Sequence, residues 1–221
     1  MTRAVFERQL AEVQEDMLVM ARMVEDAIQQ SVEALKLRDV ALARRIIAND
    51  IEINKKRYET EDKCVELISL QAPLASDLRT IISVLHIAVD LERMGDHAEG
   101  IAKIALMLAD EPPLKPYIDI PRMAQIGVEM LDGALEAWKQ RDTQLARRII
   151  QRDDEVDELY EQVYRELLMF MIEERGTIQR ATYLIWVAHN LERIADRVTN
   201  ICEAVVYLVE GKVQDLNVSK Y

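Results

Sequence analysis

Two acidic pairs at helical spacing are the residues in this chain best placed to do chemistry. Glu92 and Asp96 lie in Asp90-Leu91-Glu92-Arg93-Met94-Gly95-Asp96-His97. Glu192 and Asp196 lie in Asn190-Leu191-Glu192-Arg193-Ile194-Ala195-Asp196-Arg197, about one hundred residues later. Four residues apart on a helix, two carboxylates share one face. Like charges so placed repel, and a chain that repeats the arrangement in register requires a reason for it.

The reason begins with what faces each pair. In a tight antiparallel helical hairpin, facing residues lie equally far on either side of the turn. With a turn near Pro73, Asp50 faces Asp96 and Asn54 faces Glu92. With a turn near Glu174 and Arg175, Asp153 faces Asp196 and Asp157 faces Glu192. Asp50/Asn54 and Asp153/Asp157 are themselves four residues apart, so each hairpin gathers four oxygen-bearing side chains. If all acids ionise, each close pair repels by roughly 3 kcal/mol at an effective dielectric of about 20. Such a cluster must be protonated, paired with arginine, or holding a cation.

Oxygen ligands from two helices favour hard ions such as Mg²⁺, Mn²⁺ or Ca²⁺, or iron. The candidate metal ligands are therefore Asp50, Asn54, Glu92 and Asp96 in one set and Asp153, Asp157, Glu192 and Asp196 in the other. The plainer reading is that these acids neutralise Arg93, Arg193, Arg44 and Arg147 in surface networks. A ferritin-like di-iron oxidase needs Glu-x-x-His on two helices. Ser83, Met94 and Trp186 stand three residues before His86, His97 and His189, so that pattern is missing. His97 reads as a polar residue at a bundle edge, with a ligand role as the alternative. No P-loop, dinucleotide loop, zinc motif or nucleophile triad occurs, and no enzyme activity is expected.

The elements that position these residues are helices. Residues 3–37 contain no Gly or Pro, and Val13, Met17, Met20, Val24, Ile28 and Leu35 recur at helical spacing. Arg38-Asp39 reads as a turn with Asp39 as the next N-cap. Further helices are expected over 40–71, ending before Pro73, and over 75–109. Asp110-Glu111-Pro112-Pro113-Leu114-Lys115-Pro116 holds three of the five prolines and reads as a stiff connector. Three more helices are expected over 120–140, 142–174 and 177–210, with Gly176 closing the fifth and the tail from Lys212 to Tyr221 frayed.

The halves repeat. Leu42-Ala43-Arg44-Arg45-Ile46-Ile47 returns verbatim as Leu145-Ala146-Arg147-Arg148-Ile149-Ile150. The expected fold is all-α, two tandem pseudo-symmetric three-helix bundles: residues 1–110, a Pro-rich connector over 111–118, and residues 119–221. The third helix of each carries a seam in alternating steps of three and four, Ile81 to Ala109 and Ala181 to Val209. The acidic pairs sit at the edge of that seam. Gly95 and Ala195 would let a neighbouring helix come close.

Composition limits the partners. The chain has 221 residues, is 50% hydrophobic and only 5% aromatic, and has a net charge of −12. That charge argues against nucleic acid and anionic membrane surfaces. Nothing approaches the ~20 apolar residues of a membrane span, and residues 1–10 do not read as a signal peptide. Cys64 and Cys202 read as small apolar residues in a reducing compartment. A soluble, cytoplasmic protein is expected.

The repeated Leu-Glu-Arg-Met-Gly-Asp-His-Ala and Leu-Glu-Arg-Ile-Ala-Asp-Arg-Val, preceded by Gln71-Ala-Pro-Leu-Ala-Ser-Asp-Leu-Arg79, closely resemble the PhoU family. The resemblance covers the whole chain, both repeats and their order. It implies a cytoplasmic negative regulator of phosphate uptake and of the phosphate-starvation response. The implied partners are the ATPase subunit of the Pst transporter, a PhoR-type sensor histidine kinase and a second copy in a homodimer. It further implies multinuclear metal clusters at the eight residues above, with iron first and Mn, Mg, Zn or Ca as alternatives. Two readings remain beside it, a carboxylate-bridged iron store or oxidase and a metal-free helical adaptor. The chain departs from the family pattern at Ala195 and Arg197, where Gly and His are usual, and at Gly100, where Asn is usual. Arg197 is expected to fold back on the second set of acids, and Asn54 removes one charge from the first.

Overall fold

A computed structural model describes residues 3–71, 73–212 and 216, and no strand occurs among them. The helices are α1 (Arg3–Leu37), α2 (Val40–Gln71), α3 (Ala75–Leu108), α4 (Asp119–Gln140), α5 (Thr143–Ile150), α6 (Asp153–Glu173) and α7 (Ile178–Glu210). A 3-10 turn, Arg175–Thr177, leads into α7. Helices α1–α3 form one bundle. In the second, α5 and α6 together make the arm that packs with α4 and α7. The tail expected to fray falls mostly outside the described residues.

Local chemistry sets the ends. Both first-to-second-helix turns use the same device, one repeat apart. Arg38 and Arg141 take left-handed backbone angles, φ 54° and 55°. The aspartate that follows each caps the next helix. Asp39 accepts from the Leu42 amide at 2.9 Å, and Asp142 accepts from the Gln144 and Leu145 amides at 2.9 Å. These bonds satisfy amides that would otherwise lack partners in the first turn.

Two expectations about the fifth helix fail. It is not continuous over 142–174: α5 ends at Ile150, Gln151 and Arg152 form a turn, and α6 starts afresh at Asp153. Asp153, Asp154 and Glu155 open α6, where the partial positive charge of a helix N-terminus favours acids. Gly176 does not close the arm either, since Gly211 is the one glycine at positive φ among the described residues. Thr177 does that work instead, its hydroxyl donating to the carbonyls of Phe170 at 2.8 Å and Glu174 at 2.7 Å.

The bundles pack side by side, α3 against α7 and α1 against α4, around one continuous core. This follows from how α3 and α7 are buried. The seam residues Ile81, Val84, Ala88, Leu91, Gly95, Ala98, Ala102 and Ala105 are buried, and so is a second row, Ile87, Met94, Ile101, Ile104 and Leu108. A helix apolar on two sides must be covered on two sides. Fully buried side chains such as Met94, Met123, Met130 and Leu131 each contribute about 1.5–3 kcal/mol. The seams fade at their ends, where Val209 is exposed and Ala109 half-buried. The connector is pinned as well: Arg180 donates to the Pro112 carbonyl at 2.9 Å, and Lys115 pairs with Glu166 and Asp119.

Candidate functional site

In the first bundle, α2 supplies Asp50 and Asn54, and α3 supplies Glu92 and Asp96. Asn54 Nδ2 donates to Asp50 Oδ2 at 2.8 Å. Burial holds the Asp50 carboxyl above its ordinary range. Glu99 and Asp96 push the same way, the Asn54 bond opposes them, and Glu92 adds a last repulsion. Gly95 makes room for this approach. A Cβ there would stand 3.2 Å from Ile53 Cδ1 and 3.6 Å from Asp50 Oδ1. A cavity of about 310 Å³ opens beside Asp50, with Asp26, Glu52, Ile53, Gly95 and Glu99 on its walls.

Glu92 is buried, at 7% exposure. Arg57 Nη1 donates to its Oε1 at 2.9 Å, and Arg93 Nε stands 3.4 Å from its Oε2. Arg93 also donates to Asp96 Oδ2 at 3.0 Å. Arg57 is bound on its other side by Glu61 at 2.8 Å.

In the second bundle, Asp153 sits buried at the start of α6 and Asp157 one turn on. Both act on Glu192 of α7. Burial pushes the Glu192 carboxyl up to about 7. Asp196, Asp157 and Asp153 add repulsion against a partial offset from Arg193. Arg193 repeats the part of Arg93, with Nε 3.1 Å from Glu192 Oε2 and Nη1 donating to Asp196 Oδ2 at 2.8 Å. His189 Nδ1 lies 3.5 Å from Glu192 Oε2, and the His189 ring packs 6.2 Å from that of Tyr160. Among the described residues, none donates a hydrogen bond to the buried Glu192 Oε2.

The two clusters differ at one position. Arg57, which pairs Glu92, and Tyr160, which packs beside Glu192, occupy equivalent places three residues after Asn54 and Asp157. A full charge from α2 meets the first glutamate; a phenol from α6 meets the second. Arg197 does not fold onto the second cluster. It turns across the α3–α7 seam to Asp90, Nη1 to Oδ1 3.5 Å, beside the Asn200 amide that donates to the same oxygen at 3.0 Å. His97 also lies in that seam, its Nδ1 2.9 Å from Asn190 Oδ1.

Each predicted set thus falls in one electrostatic neighbourhood. Sequence reasoning missed Arg57, Glu99, His189 and Tyr160. Two of these carried a signal, because Arg57 lies seven residues after Asp50 and Glu99 seven after Glu92, on the same helix faces. Among the described residues, no three His, Cys, Asp or Glu side chains stand around one point that a metal ion could occupy. Arg93 and Arg193 lie across the acids instead. Both are about half exposed, 51% and 46%. The donor set suits a hard cation: among the described residues, the buried Glu92 Oε2 and Glu192 Oε2 both lack a hydrogen-bond donor, each with the arginine next to it as an ion-pair partner.

The PhoU domain family matches residues 17–105 and 120–205. A phosphate-specific transport system accessory protein PhoU homolog of Aquifex aeolicus is 44% identical over 206 residues, 93% of each chain. Another, of Clostridium acetobutylicum, is 39% identical over 98% of this chain and 100% of its own. The crystal structure of PhoU from Pseudomonas aeruginosa superposes with a TM-score of 0.89 at 35% identity, over 94% of this chain and all of that one. The phosphate transport system regulatory protein PhoU from Streptococcus pneumoniae gives a TM-score of 0.89 at 32% identity, over 95% and 99% of the two chains.

Proposed function

The chain belongs to the PhoU family, and from that premise we propose that it is a cytoplasmic, metal-binding accessory protein of phosphate transport. In this reading it restrains uptake by the Pst transporter through the ATPase subunit. It also holds down starvation signalling through a PhoR-type sensor kinase, and it works as a homodimer. It acts as an adaptor and not as an enzyme. The observation that carries the reading is the end-to-end match, through both repeats, to relatives named as phosphate-specific transport system accessory proteins.

Asp153, Asp157, Glu192 and Asp196 would hold one metal centre, and Asp50, Asn54, Glu92 and Asp96 the other, with Glu99 beside it. The bound cation, iron first and Mn, Mg, Zn or Ca as alternatives, would supply the positive charge that acids in this arrangement lack. Arg93 and Arg193 hold the same oxygens in its place and release them as they swing outward. Glu192 gains most, since no cation from α6 reaches it.

One observation favours a metal-free adaptor. Arg57, Arg93 and Arg193 already neutralise part of each cluster. Metal analysis of purified protein after incubation with Fe, Mn, Mg and Zn, followed by desalting, separates the two. The regulatory role is tested in a bacterium deleted for its own relative and carrying a phosphate-starvation reporter. Expression of this chain should restore repression in high phosphate, and a reporter that stays fully induced would overturn the reading.

A further inference from the structure

The outer face of α2 carries three large apolar residues in one row: Ile51, Tyr58 and Val65, 67%, 59% and 60% exposed. They are seven residues apart, so they line up along a single stripe. The opposite face, Ile46, Ile53, Thr60, Cys64 and Leu67, is buried in the bundle. Singly exposed apolar side chains are ordinary. A row at heptad spacing is the pattern of a helix that meets another helix.

A second row runs beside the first. Ala48, Lys55, Asp62 and Ser69, also seven apart, are all exposed. Among the described residues, neither Lys55 nor Asp62 has an ionic partner within the chain. The order of this row decides what fits against it. When two copies of α2 lie antiparallel with Tyr58 on the two-fold axis, Ile51 of each copy meets Val65 of the other. Lys55 of each then lies within one residue's rise of Asp62 of the other, and Ala48 within one of Ser69. In a parallel pair the two-fold runs along the helices, so this row in one copy and the same row in the other lie on opposite sides of the contact and Lys55 does not reach Asp62. Isologous contacts require a self-complementary patch, and this one is self-complementary in the antiparallel sense alone.

We propose that the Ile51–Tyr58–Val65 face of α2 is a two-fold interface with a second copy of this chain, closed by two Lys55–Asp62 pairs. The proposal rests on the homodimer of the reading above and names the face that makes it. Arg57 ties this face to the first cluster. Its guanidinium lies 5.4 Å from the Tyr58 ring while bonding Glu92 at 2.9 Å, so the two-fold axis passes next to a cluster contact.

Sedimentation of the wild-type chain, of Lys55→Glu and of Lys55→Glu/Asp62→Lys tests the pairing, and Tyr58→Cys under mild oxidation tests the axis. Cys64 and Cys202 are buried, with thiols pushed up to about 12 by that burial, so they stay silent. The expected results are a wild-type dimer, a Kd about tenfold weaker or more in Lys55→Glu, recovery in the double swap, and an intermolecular disulfide in Tyr58→Cys. A dimer indifferent to Lys55→Glu and without a Tyr58→Cys disulfide would leave the homodimer standing and overturn this face. A wild-type monomer at every concentration would overturn both.

Discussion

Asp90 and Arg197 meet across the α3–α7 seam at 3.5 Å, and the positions one repeat from them, Asn190 and His97, meet at 2.9 Å. The two contacts are one contact seen twice, related by the pseudo-two-fold that swaps the bundles. A third position joins each of them. Asn200 donates to Asp90 at 3.0 Å, while at Gly100, its counterpart, a Cβ would stand 3.3 Å from Asn190 Oδ1. The departures from the family pattern at Gly100 and Arg197 therefore belong to the packing of the bundles and not to the acidic clusters. One half of the pseudo-symmetric contact is charged and the other neutral.

Removing Arg197 leaves the buried Asp90 carboxylate with Asn200 as its one side-chain hydrogen-bond donor among the described residues. Burial already holds that carboxyl above its ordinary range, with Asn200 and Arg197 opposing. Arg197→Ala should cost about 2 kcal/mol. Asp90→Asn in the same background should recover part of the loss by removing the unmatched charge. Urea unfolding midpoints of the single and double variants measure this, and additive effects would show that the pair is not coupled.

Metal binding should respond to the acids and to the arginines in opposite directions. Glu192→Gln/Asp196→Asn should abolish one class of Mn²⁺ or Fe²⁺ site in calorimetry and leave the other. Arg193→Ala removes the guanidinium that competes for the same oxygens, and should tighten that class by roughly tenfold, about 1.4 kcal/mol. Unchanged binding in both variants would place the metal elsewhere.

How much of this was legible in the sequence depends on the range of the interaction. Helix ends set by neighbouring residues, such as the Asp39 cap, read directly. So did the approach of Asp50 to Asp96 and of Asp157 to Glu192, because a tight hairpin leaves little freedom in register. The break at Gln151–Arg152 did not, since neither Gly nor Pro marks it and the matching stretch of α2 runs straight through. The direction of Arg197 did not either. Its partner Asp90 lies in the other repeat, beyond any hairpin. Glu99 and Arg57 were within reach, as both share a face with a predicted ligand.

Stability should fall as pH rises through neutrality because of Glu25 on α1. Burial pushes its carboxyl up from 4.5 to about 7. Asp132 adds repulsion and a hydrogen bond that needs the Glu25 proton, and Asp26 repels it further. A carboxyl raised on folding makes the native state bind more protons than the unfolded one between these two values. The native state therefore loses stability from about pH 4.5 upward and carries the full cost above about pH 7. Glu25→Gln should be more stable than wild type at pH 8 and no more stable at pH 4.5. Urea midpoints at the two pH values decide it, and parallel profiles would refute it.

The difference between the clusters predicts a reciprocal exchange. Arg57 and Tyr160 hold the same repeat position, and one neutralises Glu92 while the other packs beside Glu192 and repels it once ionised. Tyr160→Arg should supply the missing charge, draw the Glu192 carboxyl well below its present value of about 7, and weaken cation binding at the second cluster. Arg57→Tyr should do the reverse at the first: Glu92, buried and close to Asp50, would lose its α2 partner. Cation binding there should tighten, because the guanidinium no longer holds the oxygen. A carboxyl carbon NMR titration of Glu192 in Tyr160→Arg reads its shift directly, and metal titrations of both variants read the affinities. If Glu192 titrates as in wild type and neither affinity moves, this position does not set a difference between the clusters.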